Sequence, residues 1–243
     1  MAFSLPYKPP QYSTESSALL SESNKRNRIS LKEPTSMTLS AIEVHHLKQA
    51  PAVEGVLPAI LHRWSPRSFA NRDVSPADLK KLFEAARWAP SSFNEQPWRF
   101  LVSLRGSDTY KKIFSALIGF NQGWAGKAPV LILGAAKTKF THNETPNGFA
   151  FYDLGAAASF LVLQATALGL FTHQMAGYDP AAARAAFGIP EDYALGAVIA
   201  LGYQGEPAAL GHEQLIDQET VPRQRKPLGD FVLSAWGEPA DLG

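Results

Sequence analysis

Two short blocks carry the residue types of a site for a flat, anionic molecule: RWSPRSF at residues 63–69 and APSSFNEQPWRF at residues 89–100. The first brings two guanidiniums and two hydroxyls together. Arg63, Ser65 and Arg67 alternate, so in an extended segment they project to one side, where arginines bind phosphate bidentately and a hydroxyl adds a neutral donor. The second sets Ser91, Ser92, Asn94 and Gln96 just before an aromatic-rich run. Together they suggest a grip on a planar, phosphorylated cofactor. Each block also has a plainer reading, the first as a charged surface loop and the second as a polar turn, since Pro, Ser and Asn are common turn formers. A turn can itself present the side chains.

The elements that must position these residues are legible in outline. A helix begins at Ser75, a hydroxyl N-cap followed by Pro76 at the first helical position and Asp78 in the first turn, with Leu79, Leu82, Phe83 and Ala86 on one face. Pro90 stops it, so the second block occupies the loop that follows. Residues 99–104 read as a buried strand ending at Gly106, residues 129–136 as a second strand, and residues 194–203 as a third. Residues 149–170 read as a long helix apolar around most of its circumference, which must be covered on nearly every side, as the central helix of one core or as half of a subunit interface. Asp179 and Pro180 start a short helix ending near Gly188. Helices and strands alternate without strict βαβ spacing, which gives an α+β fold with a central sheet flanked by helices.

Composition narrows the chemistry. The 243 residues are 45% hydrophobic and 19% charged, enough apolar content for a sizeable core in a soluble globular protein. A formal net charge of +1 gives no long-range pull on nucleic acid, and no basic stripe interleaved with aromatics is present. With no cysteine, disulfides, thiolate nucleophiles and iron–sulfur clusters are excluded, so redox chemistry would use a bound organic cofactor or a non-thiolate metal site. No apolar run approaches the roughly 20 residues of a membrane span, and a cytoplasmic location is the expectation. There is no G-x-S-x-G elbow, no H-E-x-x-H and no G-x-G-x-x-G fingerprint. Residues 1–50 read as a disordered or linker-like leader, with Met37 as a candidate true start and residues 51–243 as one domain. His45 and His46, being adjacent, cannot both point one way and are expected as solvent-exposed residues of that linker.

On these blocks the chain resembles the FMN-dependent nitroreductase family, whose R-x-S-x-R and P-S-x-x-N-x-Q-P-W motifs both touch the flavin. The resemblance runs from about His62 to Leu233. It implies a mostly antiparallel central sheet and an intertwined homodimer with the long apolar helix at its interface. It assigns cofactor contacts to Arg63, Trp64, Ser65 and Arg67, and, for a flavin held mainly by the other subunit, to Pro90, Ser91, Ser92, Asn94 and Gln96. Asn121, in GFNQGWAGKAPVLI, matches a position that hydrogen-bonds the pyrimidine edge, which a carboxamide suits because it donates and accepts. The glycines around it lack the spacing of a phosphate loop, and Ala128 follows Lys127 where Ser or Thr is required. Trp124 reads equally as core, interface or substrate contact.

GLFTHQMAGYD, residues 169–179, resembles the family's loop after the long helix, where backbone N–H groups face flavin N5. Met175, Ala176 and Gly177 match there, the small pair allowing close approach. Some nitroreductases carry an acidic residue where this chain has Ala176, a departure that bears on substrate preference. In PRQRKPLGDFV, Arg225 best matches the basic residues that close the family's phosphate site; Arg223 and Lys226 match less well. No side-chain acid or base is required. The resemblance implies hydride uptake from NADH or NADPH and reduction of a nitroaromatic, quinone or other conjugated small-molecule acceptor by a ping-pong mechanism, with dehalogenation, enone or aldehyde reduction, flavin fragmentation, or flavin binding without turnover as alternatives on the same fold.

Overall fold

The computed structural model describes residues 39–242. Two apolar segments show how the sheet is assembled on alternation alone. In β2 (Val130–Lys137) the side chains of Val130 and Ile132 enter one core, while Leu131 and Leu133 enter another on the opposite face. Its neighbour β4 (Tyr193–Gly202) does the same, with Ile199 and Leu201 on the first face and Val198 and Ala200 on the second. A period of two thus makes both strands central and covered on both sides. The flanking strands are β1 (Trp98–Leu104) and β3 (Phe171–Met175), giving the order β1-β2-β4-β3 with every pair antiparallel.

Helices cover both faces. On one side lie α3 (Pro76–Arg87) and α6 (Ala150–Ala167); on the other α4 (Asp108–Ala116), α5 (Gly119–Ala125) and α7 (Pro180–Phe187). The α3 start is as the sequence predicts: the Ser75 hydroxyl accepts from the Asp78 N–H at 3.0 Å, and Leu82 and Ala86 are buried. α6 buries Leu154, Ala157, Ala158, Leu161, Val162 and Ala165, the spacing of a single helical face. Its other side leaves Phe151, Tyr152 and Phe160 exposed, Tyr152 by 76%. At 18 residues and a mean hydropathy of 1.2, α6 meets the bare length and composition of a membrane span, but 44% of it is buried inside the fold. Its packing on α3 and the sheet is that of a core helix. Gly196 of β4 lets it sit close, since a Cβ there would fall 2.6 Å from a Leu154 methyl.

The structure departs from the sequence reading at three places. Residues 41–47, expected within a leader extending to residue 50, form helix α1 (Ala41–Leu47), started by a capping box between Ser40 and Glu43. Val44 is fully buried, and His45 packs on Phe171 with ring centroids 5.7 Å apart, so His45 is not a solvent-exposed linker residue; only His46 is exposed. The expectations for Met37 and the residues before it lie outside the described residues. Residues 171–175, read as part of a loop, form strand β3. Strand β1 is not a buried strand: it lies at a sheet edge and exposes Arg99, Val102 and Leu104. Asn121, a few residues before β2, is carried by helix α5. Two further helices, α2 (Pro58–His62) and α8 (Glu213–Thr220), and a hairpin of β5 (Leu233–Ala235) with β6 (Glu238–Pro239) complete the described residues.

Candidate functional site

β3 is an edge strand, and an edge presents backbone N–H and C=O groups that no neighbouring strand satisfies. Two clefts run along it. One, of about 370 Å³, is lined by Arg63, Ser65, Thr172 and Gln174 with Ser159, Val162 and Leu163 of α6. The other, of about 380 Å³, is lined by Gln174, Ala176 and Tyr178 with Gly155 and Ala158 of α6 and Gly134 and Gly196 of the sheet. Gln174 belongs to both, so they form one groove between α6 and the sheet edge.

The arginine end of the groove is built by a loop in extended conformation. Trp64 and Pro66 turn inward and are buried, while Arg63 and Ser65 turn outward, with Arg63 Nη1 3.3 Å from the Ser65 hydroxyl, to which it donates. Behind them, a cavity of about 490 Å³ brings Arg63, Arg223 and Arg225 together. Burial, and then the neighbouring Arg225, holds the Arg63 pKa below the ordinary guanidinium value; burial, followed by Arg63 and Arg225, does the same at Arg223. Like charges gathered in this way are relieved by a bound anion. Arg225 is exposed. Arg223 is differently engaged: it donates to the carbonyls of Arg63 and Leu61 and so fixes the loop's backbone. Its Nε is buried without a partner.

Arg67 leaves this cleft. Its guanidinium lies 5.8 Å from the Phe120 ring centroid and 6.0 Å from that of Trp124, both on α5, and its Nε is likewise buried and unpartnered. The expected one-sided row is therefore divided, with Arg63 and Ser65 at one place and Arg67 at α5. Asn121 of the same helix donates from Nδ2 to the Gly177 carbonyl at 2.8 Å. A Cβ on Gly177 would fall 2.7 Å from that nitrogen, so only glycine lets the two approach. Ala176 is exposed toward the groove, whereas Met175 is buried in the core. Trp64 contributes no ring to the groove: it packs edge-on against Phe171 in a small core with Val44. Trp124 is core, fully buried against Phe69.

The second motif block stands apart. Phe93, Asn94 and Gln96 have φ of 53°, 54° and 51°, three non-glycine residues in the left-handed region within one loop. Such a conformation costs on the order of 1–3 kcal/mol per residue and concentrates at functional sites. The loop holds itself there: the Ser91 hydroxyl accepts from the Gln96 N–H at 3.0 Å, Gln96 Nε2 donates to the Asn94 carboxamide at 3.1 Å, and buried Asp153 accepts from the Ser92 N–H at 3.1 Å. Pro90, Ser91 and Ser92 line a shallow cleft against Phe149, Tyr152 and Asp153 at the start of α6. The Arg63 cleft touches Val162 and Leu163 instead. That separation along one helix is roughly 15 Å at about 1.5 Å per residue. Within one chain the two blocks do not meet.

Sequence reasoning missed three residues that shape the arginine loop. His173 of β3 carries its proton on Nδ1 and donates to the Pro66 carbonyl at 3.0 Å. Burial, and then the Arg67 charge, pushes its pKa down to about 4, so the ring is neutral near pH 7. Glu219 of α8 accepts from the Arg67 and Ser68 N–H groups, each at 3.1 Å, and Lys48 lies beside it. The bonded partners are far apart in the chain, so no local spacing announces them.

An antiparallel sheet covered by helices on both faces, with a groove along its open edge that reaches Arg63, defines a class of fold that matches proteins of known family. The nitroreductase family model matches residues 60–121 and 108–203, more than half of the chain, and the chain belongs to that family. A protein of Thermus thermophilus named NADH dehydrogenase is 29% identical over 206 residues, covering 72% of this chain and 93% of its own. An Archaeoglobus fulgidus protein, provisionally named NADH dehydrogenase/NAD(P)H nitroreductase, is 33% identical over 155 residues, covering 62% of this chain and 86% of its own. A solved structure described as an oxidoreductase containing FMN superposes with a TM-score of 0.71 at 31% identity, covering 77% of this chain and 94% of that one.

Proposed function

We propose that this protein is an NAD(P)H-dependent FMN oxidoreductase that reduces nitroaromatics, quinones or related conjugated acceptors. The observation that carries the reading is the groove along the β3 edge, with mutually repelling arginines at one end and the small residues Ala176 and Gly177 at the other. FMN in a structurally similar oxidoreductase and the nicotinamide-dependent names of the relatives support it. When bound, FMN supplies two-electron hydride chemistry, taken from NADH or NADPH and given to the acceptor in alternating half-reactions.

The chain's own residues then have distinct tasks. Arg63, Ser65 and Arg225 grip the phosphate, and Arg223 holds the loop that carries the first two. Arg67 and Asn121, gathered around α5, serve the pyrimidine edge, and the orphaned Arg67 Nε fits a ring acceptor there. Backbone N–H groups of Ala176 and Gly177 approach the hydride-transferring edge. Ser91, Ser92, Asn94 and Gln96 reach the groove of a second copy in a homodimer, for which the exposed Phe151, Tyr152 and Phe160 of α6 offer the contact face. Purified protein should be yellow and release FMN, and not FAD, on denaturation. Anaerobic NADH or NADPH should bleach it and an added acceptor should restore the colour; protein that takes up no FMN would overturn the reading.

A further inference from the structure

The carboxylate of Glu219 is only 1% exposed, yet it belongs neither to the groove nor to an ordinary surface ion pair. Both its oxygens accept from the Arg67 N–H at 3.1 Å, and one accepts from the Ser68 N–H at 3.1 Å. Burying a charge in this way is costly unless it is compensated. The two backbone N–H bonds and the Arg67 charge compensate it first, and Lys48 at the end of α1 adds a further positive charge; itself buried, its ammonium donates to the Gln218 carbonyl at 3.2 Å and lies over the Trp64 ring at 5.1 Å. The loop between residues 61 and 68 is thereby held at both ends, by Arg223 on the Leu61 and Arg63 carbonyls and by Glu219 on the Arg67 and Ser68 N–H groups. Between those anchors only Arg63 and Ser65 turn outward.

We infer that Lys48 and Glu219 are positioning residues for phosphate recognition, acting through the backbone of the loop that presents Arg63 and Ser65. The inference rests on the flavin reading above. Both residues lie outside the stretches the family model matches, residues 60–121 and 108–203. The physical argument is preorganisation: a loop fixed before binding loses less conformational freedom when the anion arrives. Neither residue touches the groove, so their effect should follow the phosphate alone.

The test compares affinities of the full chain, freed of flavin, for FMN and for riboflavin, which lacks the phosphate. Glu219→Gln should weaken FMN binding about tenfold, the scale of one lost charge-assisted contact, while riboflavin binding and the melting curve's cooperativity stay as in the wild type. Lys48→Met, which keeps the carboxylate but removes one of the positive charges near it, should shift the FMN-to-riboflavin ratio in the same direction by less. Arg63→Ala serves as the reference. If it collapses the ratio while both positioning variants leave it unchanged, this inference is wrong and the flavin reading stands. If Arg63→Ala also leaves the ratio unchanged, the phosphate assignment itself fails. Equal weakening of both ligands, or failure of both positioning variants to fold, would make the pair a support of the whole fold and overturn the inference.

Discussion

The two motif loops are built in different ways. Residues 61–68 are fastened by side chains from elsewhere in the chain, Arg223, His173 and Glu219, and what they leave outward faces a groove of the same chain. Residues 90–96 are fastened partly to themselves, through Ser91, Asn94 and Gln96, and partly by Asp153 on the Ser92 N–H and Thr141 on the Glu95 carboxylate. They adopt a conformation three non-glycine residues rarely adopt, and they leave Phe93, Asn94 and Gln96 exposed at the other end of α6. A loop held by the rest of its chain serves a site complete at that end. A strained loop that presents its polar groups to solvent has its use in something not yet docked on it, and the proposed second copy fits that need.

The largest effects should come from loosening the first loop. Deleting residues 1–48 removes the fully buried Val44 from its core and one of the positive charges near the buried Glu219 carboxylate, and should cost about 3 kcal/mol or more. Deletion of residues 1–36 should leave melting temperature and flavin content intact. Equal thermal behaviour of the two truncations would contradict the role given to α1.

Acid should act on the same loop. The His173 pKa falls from 6.5 to about 4 on folding, so the unfolded chain binds the proton more readily between those values. Stability from this group is therefore full above about pH 6.5 and declines as pH falls toward 4, by up to about 3 kcal/mol. Urea melts across that range should show the decline in the wild type and a flatter profile in His173→Gln.

Removing the outward-facing arginine is the next step down. Arg63→Ala should weaken FMN binding by about 1.5–3 kcal/mol, the scale of a hydrogen bond to a charged group, without unfolding the protein. Isothermal titration reads this directly, and unchanged affinity would make Arg63 mere surface charge. In the second loop the smallest effect has the opposite sign. Phe93→Gly relieves a left-handed backbone at an exposed site and should stabilise the fold by about 0.5–1 kcal/mol. A net loss of stability would mean that the Phe93 ring, 5.5 Å from that of Phe140, contributes more than its backbone costs.

How much of this was legible depended on how local the signal was. Ser75 with Pro76, and Asp179 with Pro180, announce their helices within two residues, and the apolar runs of β2 and β4 announce strands covered on both faces. β3 was not legible because His173 and Gln174 interrupt its apolar pattern at the sheet edge. α1 was hidden by the polar leader before it, although Ser40 and Glu43 have capping-box spacing. Within the proposed site, Arg63 and Ser65 follow from their alternation, and Asn121 and Gly177 only from the family resemblance. Trp64 does not, since alternation in an extended segment turns it into the core. Glu219 could not be found locally, because the N–H of Arg67 that it holds lies 152 positions away.

The central claim is that each groove draws its arginine end from one chain and its strained loop from another. It is tested most directly by mixing two defective variants, Arg63→Ala and Asn94→Ala, under conditions that exchange subunits. In a mixed dimer one groove carries both defects and the other carries neither, so activity should recover in part. No recovery despite demonstrated exchange, or a monomer that keeps its flavin on dilution, would contradict the shared site.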